Sequence, residues 1–143
     1  MKQTRGRLAA VSSLAGKNGI PTRSGYAATK HAMAGFFDSL RIELAETGVS
    51  VTLIYPGFVT SEIRARAAGA DGQPLGHSPL REGEVMTTEE CARIMVRAIA
   101  KRKREEVMTA RGKLGLWVKL IAPGLVDRLA RQAIEQGTRS NDQ

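Results

Sequence analysis

Tyr26 and Lys30 stand four residues apart in Tyr-Ala-Ala-Thr-Lys, and Ser13 stands thirteen residues before that tyrosine, at the end of an apolar run. Residues four apart share one face of a helix, so the phenol and the ammonium would lie side by side. A free phenol titrates near about pH 10 and is a poor base at neutrality. An ammonium beside it stabilises the phenolate and brings the phenol into the range of general acid–base work. A serine hydroxyl within reach would hydrogen-bond an alcohol or carbonyl oxygen and hold it against the phenol. The chemistry that fits these three groups is proton transfer to or from a carbonyl oxygen. Taken alone, a Tyr and a Lys at this spacing arise by chance on many helix surfaces, so the elements around them decide.

Those elements read as follows. Residues 7–12 form a short strand that ends at Ser12-Ser13, and the Gly- and Pro-bearing stretch 14–25 is a loop. A long helix is expected over 26–46, because Met33, Phe36, Phe37, Leu40 and Leu44 recur at three- and four-residue steps. Ser24 would cap its start, and Thr47-Gly48 would stop it. Val49 to Tyr55, rich in β-branched and aromatic residues, is the strongest strand, ended by Pro56-Gly57. Strand, helix and strand make a βαβ unit with a parallel pair and a right-handed crossover. A short helix over 61–68 and a Gly/Pro-rich loop over 69–79 follow. A helix then runs from Thr87-Thr88-Glu89-Glu90 to about Lys103, with Cys91, Ile94, Met95, Ala98 and Ile99 on its apolar side. Residues 106–109 are a short strand. The apolar stretch 114–122 is broken by Pro123-Gly124, a final helix covers 125–135, and the end from Gly137 frays.

The 143-residue chain is long enough for one domain with a real core, and its net charge is +8. Nearly all of that charge is C-terminal. Residues 1–92 carry ten Lys/Arg and nine Asp/Glu, whereas residues 93–143 carry twelve and five. No run reaches the roughly 18 apolar residues of a membrane span, and the run 8–11 is short for a signal-peptide core, so a cytoplasmic setting is expected. The single cysteine, Cys91, leaves no internal disulfide. With His31 and His77 it gives no metal-ligand spacing, so no metal site is expected. His31 reads as a helix-surface residue and Cys91 as a small buried one.

The order Val-Ser-Ser-Leu-Ala-Gly, Tyr-Ala-Ala-Thr-Lys, Val-Thr-Leu-Ile-Tyr-Pro-Gly-Phe-Val resembles the short-chain dehydrogenase/reductase family in its classical type, from about Gly6 to Ala110. The resemblance implies an α/β fold, here a partial Rossmann-type doubly wound parallel sheet. It also implies an oxidoreductase that uses NAD or NADP to interconvert an alcohol and a carbonyl by hydride transfer. Ser13 matches the substrate-orienting serine, with Ser12 its neighbour. Tyr26 matches the acid/base and is also an implied cofactor-binding residue, and Lys30 matches the lysine that stabilises its phenolate and binds the nicotinamide ribose. Pro56, Gly57 and Val59 match the turn and the backbone amide that meet the nicotinamide, and Ser61 stands where the family usually has threonine. Segment 61–86 matches the substrate-binding part, where Glu62, Arg64 and Arg66 are candidate contacts expected mainly at the surface. A small-molecule alcohol or carbonyl is the implied substrate, and the 26–46 helix is the implied packing surface of a homo-oligomer.

In family terms the chain begins just before the fifth strand. The Gly-rich phosphate turn and the residue that reads the adenosine ribose are not in it. The expectation is an N-terminally truncated product, with residues 1–110 the C-terminal half of the dinucleotide-binding domain and 111–143 a basic amphipathic extension. Its first strand would show an open edge, and the truncated chain need not be active alone. The alternative is a non-catalytic binding or oligomerisation fragment. In the extension, Leu114, Leu116, Trp117, Leu120, Ile121, Leu125, Val126 and Leu129 alternate with Lys113, Lys119, Arg128 and Arg131. Packing on the sheet or over the substrate pocket is expected there, with peripheral attachment to an anionic membrane surface as the alternative. Nucleic acid is not an expected partner, because aromatic residues are few and do not interleave with the basic ones.

Overall fold

A computed structural model describes residues 5–60, 73 and 85–139, with side chains through 132. The helix expected at 61–68, the loop at 69–79 apart from Gln73, and with them Ser61, Glu62, Arg64, Arg66 and His77, lie outside the described residues. The order is β1 (Arg7–Val11), α1 (Ser24–Glu43), β2 (Ser50–Tyr55), α2 (Thr88–Ala100), β3 (Glu105–Val107), α3 (Ala110–Ile121) and α4 (Pro123–Arg139). The three strands form one parallel sheet in the order β1-β2-β3, with Ala10 opposite Leu53 and Ile54 opposite Glu106. Among the described residues, β1 has no second strand partner, so one of its edges is open.

The central strand explains the layering. Val51 through Tyr55 are all buried, because β2 is covered on both faces. Alternate side chains point to opposite faces of a strand. Leu53 and Tyr55, with Ala10 of β1, pack against Met33 and Phe37 of α1. Ile54 packs on the other face with Cys91 and Ala98 of α2 and with Met108. Helices on both faces of a parallel sheet are the doubly wound arrangement. Each fully buried large apolar side chain contributes about 1.5–3 kcal/mol of transfer free energy. Cys91 lies inside this core with its sulfur 3.7 Å from that of Met108, and burial pushes its thiol pKa up.

Element boundaries depart from the sequence expectation in several places, among them α2, which ends at Ala100 and not near Lys103, and α4, which stays helical to Arg139. Ser24 does not cap α1. It is the first helical residue, and Arg23 before it makes no side-chain cap bond. The helix ends at Glu43, and a 3-10 turn (Ala45–Thr47) leads to Gly48, whose φ of 72° is the left-handed conformation that favours glycine. The third strand stops at Val107, because Thr109 caps α3 by accepting from the Gly112 amide at 3.0 Å. Pro123 opens α4 rather than merely ending α3: a first-turn position needs no N–H, and the ring presets φ.

Tyr55 is fully buried and its hydroxyl has no hydrogen-bond partner among the described residues. The Lys17 ammonium lies 4.6 Å from its ring centroid and pairs with Glu105 at 2.7 Å. Burial, helped by the Glu105 carboxylate, pushes the phenol up to about 12. The folded state therefore keeps this proton after the unfolded chain has ionised near about pH 10. The stability contributed is complete below that value and is lost as pH rises towards about 12. Tyr55→Phe should unfold in urea within about 1 kcal/mol of the parent at neutral pH. Above about pH 10 it should keep stability that the parent loses. Equal alkaline losses in the two proteins would show that another group titrates.

Candidate active site

The site is built at the carboxyl ends of β1 and β2. The ladder between these strands continues past their ends: the Ser12 amide donates to the Ile54 carbonyl at 2.8 Å, and the Leu14 amide to the Pro56 carbonyl at 3.2 Å. Ser13 is held between those two bonds. Its Oγ accepts from the Ala15 amide at 3.2 Å and caps the 3-10 turn Leu14–Gly16. A serine hydroxyl has one proton and two lone pairs, so this cap occupies a lone pair and leaves the proton for another acceptor.

Helix α1 is fastened to the same strand end by two reciprocal bonds. The Ser12 hydroxyl, itself buried, donates to the Lys30 carbonyl at 3.2 Å. The Lys30 ammonium donates back to the Val11 carbonyl at 3.3 Å. The close approach needs Gly16: a Cβ there would lie 2.6 Å from Ser12 Oγ and 2.8 Å from the Lys30 carbonyl oxygen. Lys30 is thus fixed where β1 ends, one turn after Tyr26, with its ammonium 5.7 Å from the Tyr26 ring centroid. Tyr26 is 46% exposed and Lys30 half-buried. The Tyr26 side chain is therefore open to solvent, while the Lys30 ammonium near its ring is anchored to the end of β1.

Pro56 and Gly57 leave β2 beside this group. A Cβ at Gly57 would sit 2.8 Å from Thr109 Cγ2 and 3.9 Å from Leu14 Cδ1, so the turn lies flat against the start of α3. Val59 pairs in parallel with Met86: the Met86 amide donates to the Phe58 carbonyl at 3.0 Å, and the Thr60 amide to the Met86 carbonyl at 2.9 Å. That bridge turns the amide of Val59 itself towards the opposite edge of the segment. Ser13, Tyr26, Lys30, Pro56 and Gly57 are gathered at one end of the sheet, and Val59 extends the group along the segment tied to Met86. Among the described residues, no cluster of His, Cys, Asp and Glu is arranged to hold a metal ion.

Two residues gain a role that their sequence neighbourhood hid. Ser12, read as no more than a neighbour of Ser13, is the one that docks α1. Thr109, read as the end of a strand, caps α3 and supports Gly57. A Thr directly before a helical stretch is a cap signal that would have found the second. The bond from Ser12 spans eighteen residues and has no local signature.

Residues 1–71, which include every one of these candidate positions up to Ser61, match the family model described as short chain dehydrogenase. The mouse protein named Dehydrogenase/reductase SDR family member 7B is 33% identical over 130 residues, covering 90% of this chain and 40% of its own length. A Dictyostelium discoideum protein named Dehydrogenase/reductase SDR family protein 7-like is 33% identical over 132 residues, covering 92% of this chain and 40% of its own length. The chain therefore spans 40% of the length of these curated relatives. A short chain dehydrogenase from Burkholderia cenocepacia, whose crystal structure is in complex with NADP, has the same fold. Its TM-score is 0.71 at 17% identity, over 90% of this chain and 48% of that one.

Proposed function

The chain belongs to the short-chain dehydrogenase family, and from that premise we propose that it serves an NAD- or NADP-dependent oxidoreductase that interconverts a small-molecule alcohol and a carbonyl. The observation that supports this most is the double fastening of Lys30 to the end of β1, which holds its ammonium under the exposed Tyr26 ring. In the reducing direction the Tyr26 hydroxyl gives its proton to the carbonyl oxygen, and in the oxidising direction it takes the proton back. Lys30 stabilises the phenolate left behind. The free proton of Ser13 donates to the same substrate oxygen and sets its distance from the phenol.

The nicotinamide, when bound, supplies or accepts the hydride. The residues present fit its ribose end. The contacts of the Lys30 ammonium, 3.3 Å to the Val11 carbonyl and 3.7 Å to the Met33 sulfur, are long for a charged donor. An ammonium has three protons, so one is left to donate to a ribose hydroxyl. Pro56, Gly57, Val59 and Ser61 complete the cofactor contacts in this proposal. The Burkholderia cenocepacia protein of the same fold was solved with NADP, which supports the choice of cofactor class.

The test is a titration of reduced nicotinamide dinucleotide, followed by its fluorescence, on the parent chain and on Lys30→Met. A hydrogen bond from a charged donor contributes about 1.5–3 kcal/mol. The variant should therefore bind about 10- to 100-fold more weakly. Equal affinity in the two proteins would remove Lys30 from the cofactor site.

A further inference from the structure

The outward side of the C-terminal helices is not used by the site, and it has a distinct composition. Two inward contacts fix the rotation of α3. Gly112 lies against Thr109 and Leu14, where a Cβ would be 2.7 Å from Thr109 Oγ1. Lys119, seven residues on and so on the same face, donates to the Lys17 carbonyl at 2.6 Å. The opposite face then carries Leu114, Trp117 and Ile121 at helical spacing, with Leu120 beside them. They are 64%, 68%, 84% and 77% exposed, respectively. In α4, which packs against α3, Leu125 and Leu129 are also exposed, one turn apart. Large apolar side chains exposed together in this way mark an interaction surface.

The charge around that patch selects its partner. Of the five Lys/Arg between residues 110 and 132, Lys119 is turned inward and Lys113 lies 3.8 Å from Glu106, while Arg128 and Arg131 are exposed; the one acid in that stretch is Asp127. Arg128 is exposed on the flank of the face that carries Leu125 and Leu129, and Arg131 is exposed farther round the helix. The lone tryptophan of the chain sits in the apolar face, where an indole suits a boundary between hydrocarbon and water. No described helix is long and apolar enough to cross a membrane. The geometry points to a surface that lies flat on an anionic lipid bilayer: Leu114, Trp117, Leu120 and Ile121 enter the acyl boundary, and Arg128 and Arg131 meet lipid phosphates and carboxylates. A second copy of this chain would bring the same cations against each other, which disfavours it as occupant.

Trp117 is a built-in reporter. With vesicles of phosphatidylcholine containing phosphatidylserine, its emission should shift to the blue and the chain should pellet. Both effects should weaken without phosphatidylserine and with added salt. Arg128→Gln with Arg131→Gln should lower partitioning by roughly 30-fold, at about fivefold per cation. Leu120→Asp with Ile121→Asp should abolish pelleting and leave the melting curve unchanged, because both side chains are exposed in the fold. Pelleting that persists in this second double variant overturns the proposal, and so does failure of the parent to pellet. A blue shift that grows with chain concentration in the absence of lipid also overturns it and identifies a second copy as the occupant.

Discussion

In the full-length context of the proposed oxidoreductase, Tyr26→Phe should lower turnover of an alcohol or carbonyl substrate by about 10²–10⁴-fold, the usual contribution of a positioned acid/base. The change removes one oxygen and keeps the ring. That ring is 46% exposed and contributes no core packing, so the melting temperature should stay within the small range of surface substitutions. The ammonium of Lys30 is fixed by the Val11 carbonyl and not by the phenol, so dinucleotide binding should also persist. Absorbance of reduced nicotinamide reads the turnover, and its fluorescence reads the binding. Turnover that survives the change would remove Tyr26 from the chemistry. Loss of binding along with turnover would instead assign the phenol to holding the cofactor.

Gly16→Ala should damage both fold and site. The new methyl would lie 2.6 Å from Ser12 Oγ and 2.8 Å from the Lys30 carbonyl oxygen. The hydroxyl can rotate away, but the carbonyl belongs to the backbone of α1 and cannot. Either the 3-10 turn or the helix must move, and overpacking of this kind costs about 1–3 kcal/mol. Tyr26 and Lys30 ride on that helix. A displacement of about 1 Å at reacting groups costs on the order of 10²-fold in rate. Gly19→Ala is the control, since nothing lies within 4 Å of an added Cβ there. Urea midpoints of the two variants should separate clearly, and so should turnover in the full-length context of the proposed oxidoreductase. Equal stability of Gly16→Ala and Gly19→Ala would show that α1 does not rest on this turn.

Much of the scaffold was legible in the chain because it is written in local periodicity. The three- and four-residue steps of Met33, Phe37 and Leu40 describe a helix, and the run Val51 to Tyr55 a strand buried on both faces. Capping chemistry was legible less evenly. Thr87 does cap α2, accepting from the Glu90 amide at 3.1 Å. Ser24, an equally good cap by type, lies inside its helix because the preceding loop delivers the chain one residue earlier. Residue type states what a side chain can do at a terminus, and the path of the chain decides where the terminus falls.

The Ser-Tyr-Lys spacing, the strand–helix–strand order and the family were determined by the sequence alone, because each depends on residues close together in the chain. The attachment of that group to the sheet was decided only by tertiary structure. Ser12 reaches Lys30 across eighteen residues, and Gly57 meets Thr109 after the chain has passed through α2 and β3. The outward side of α3 was likewise undecided until Lys119 found the Lys17 carbonyl, 102 residues earlier in the chain. An amphipathic pattern shows that a helix has two faces. Which face is left to solvent depends on the partner that covers the other, and that partner comes from elsewhere in the chain.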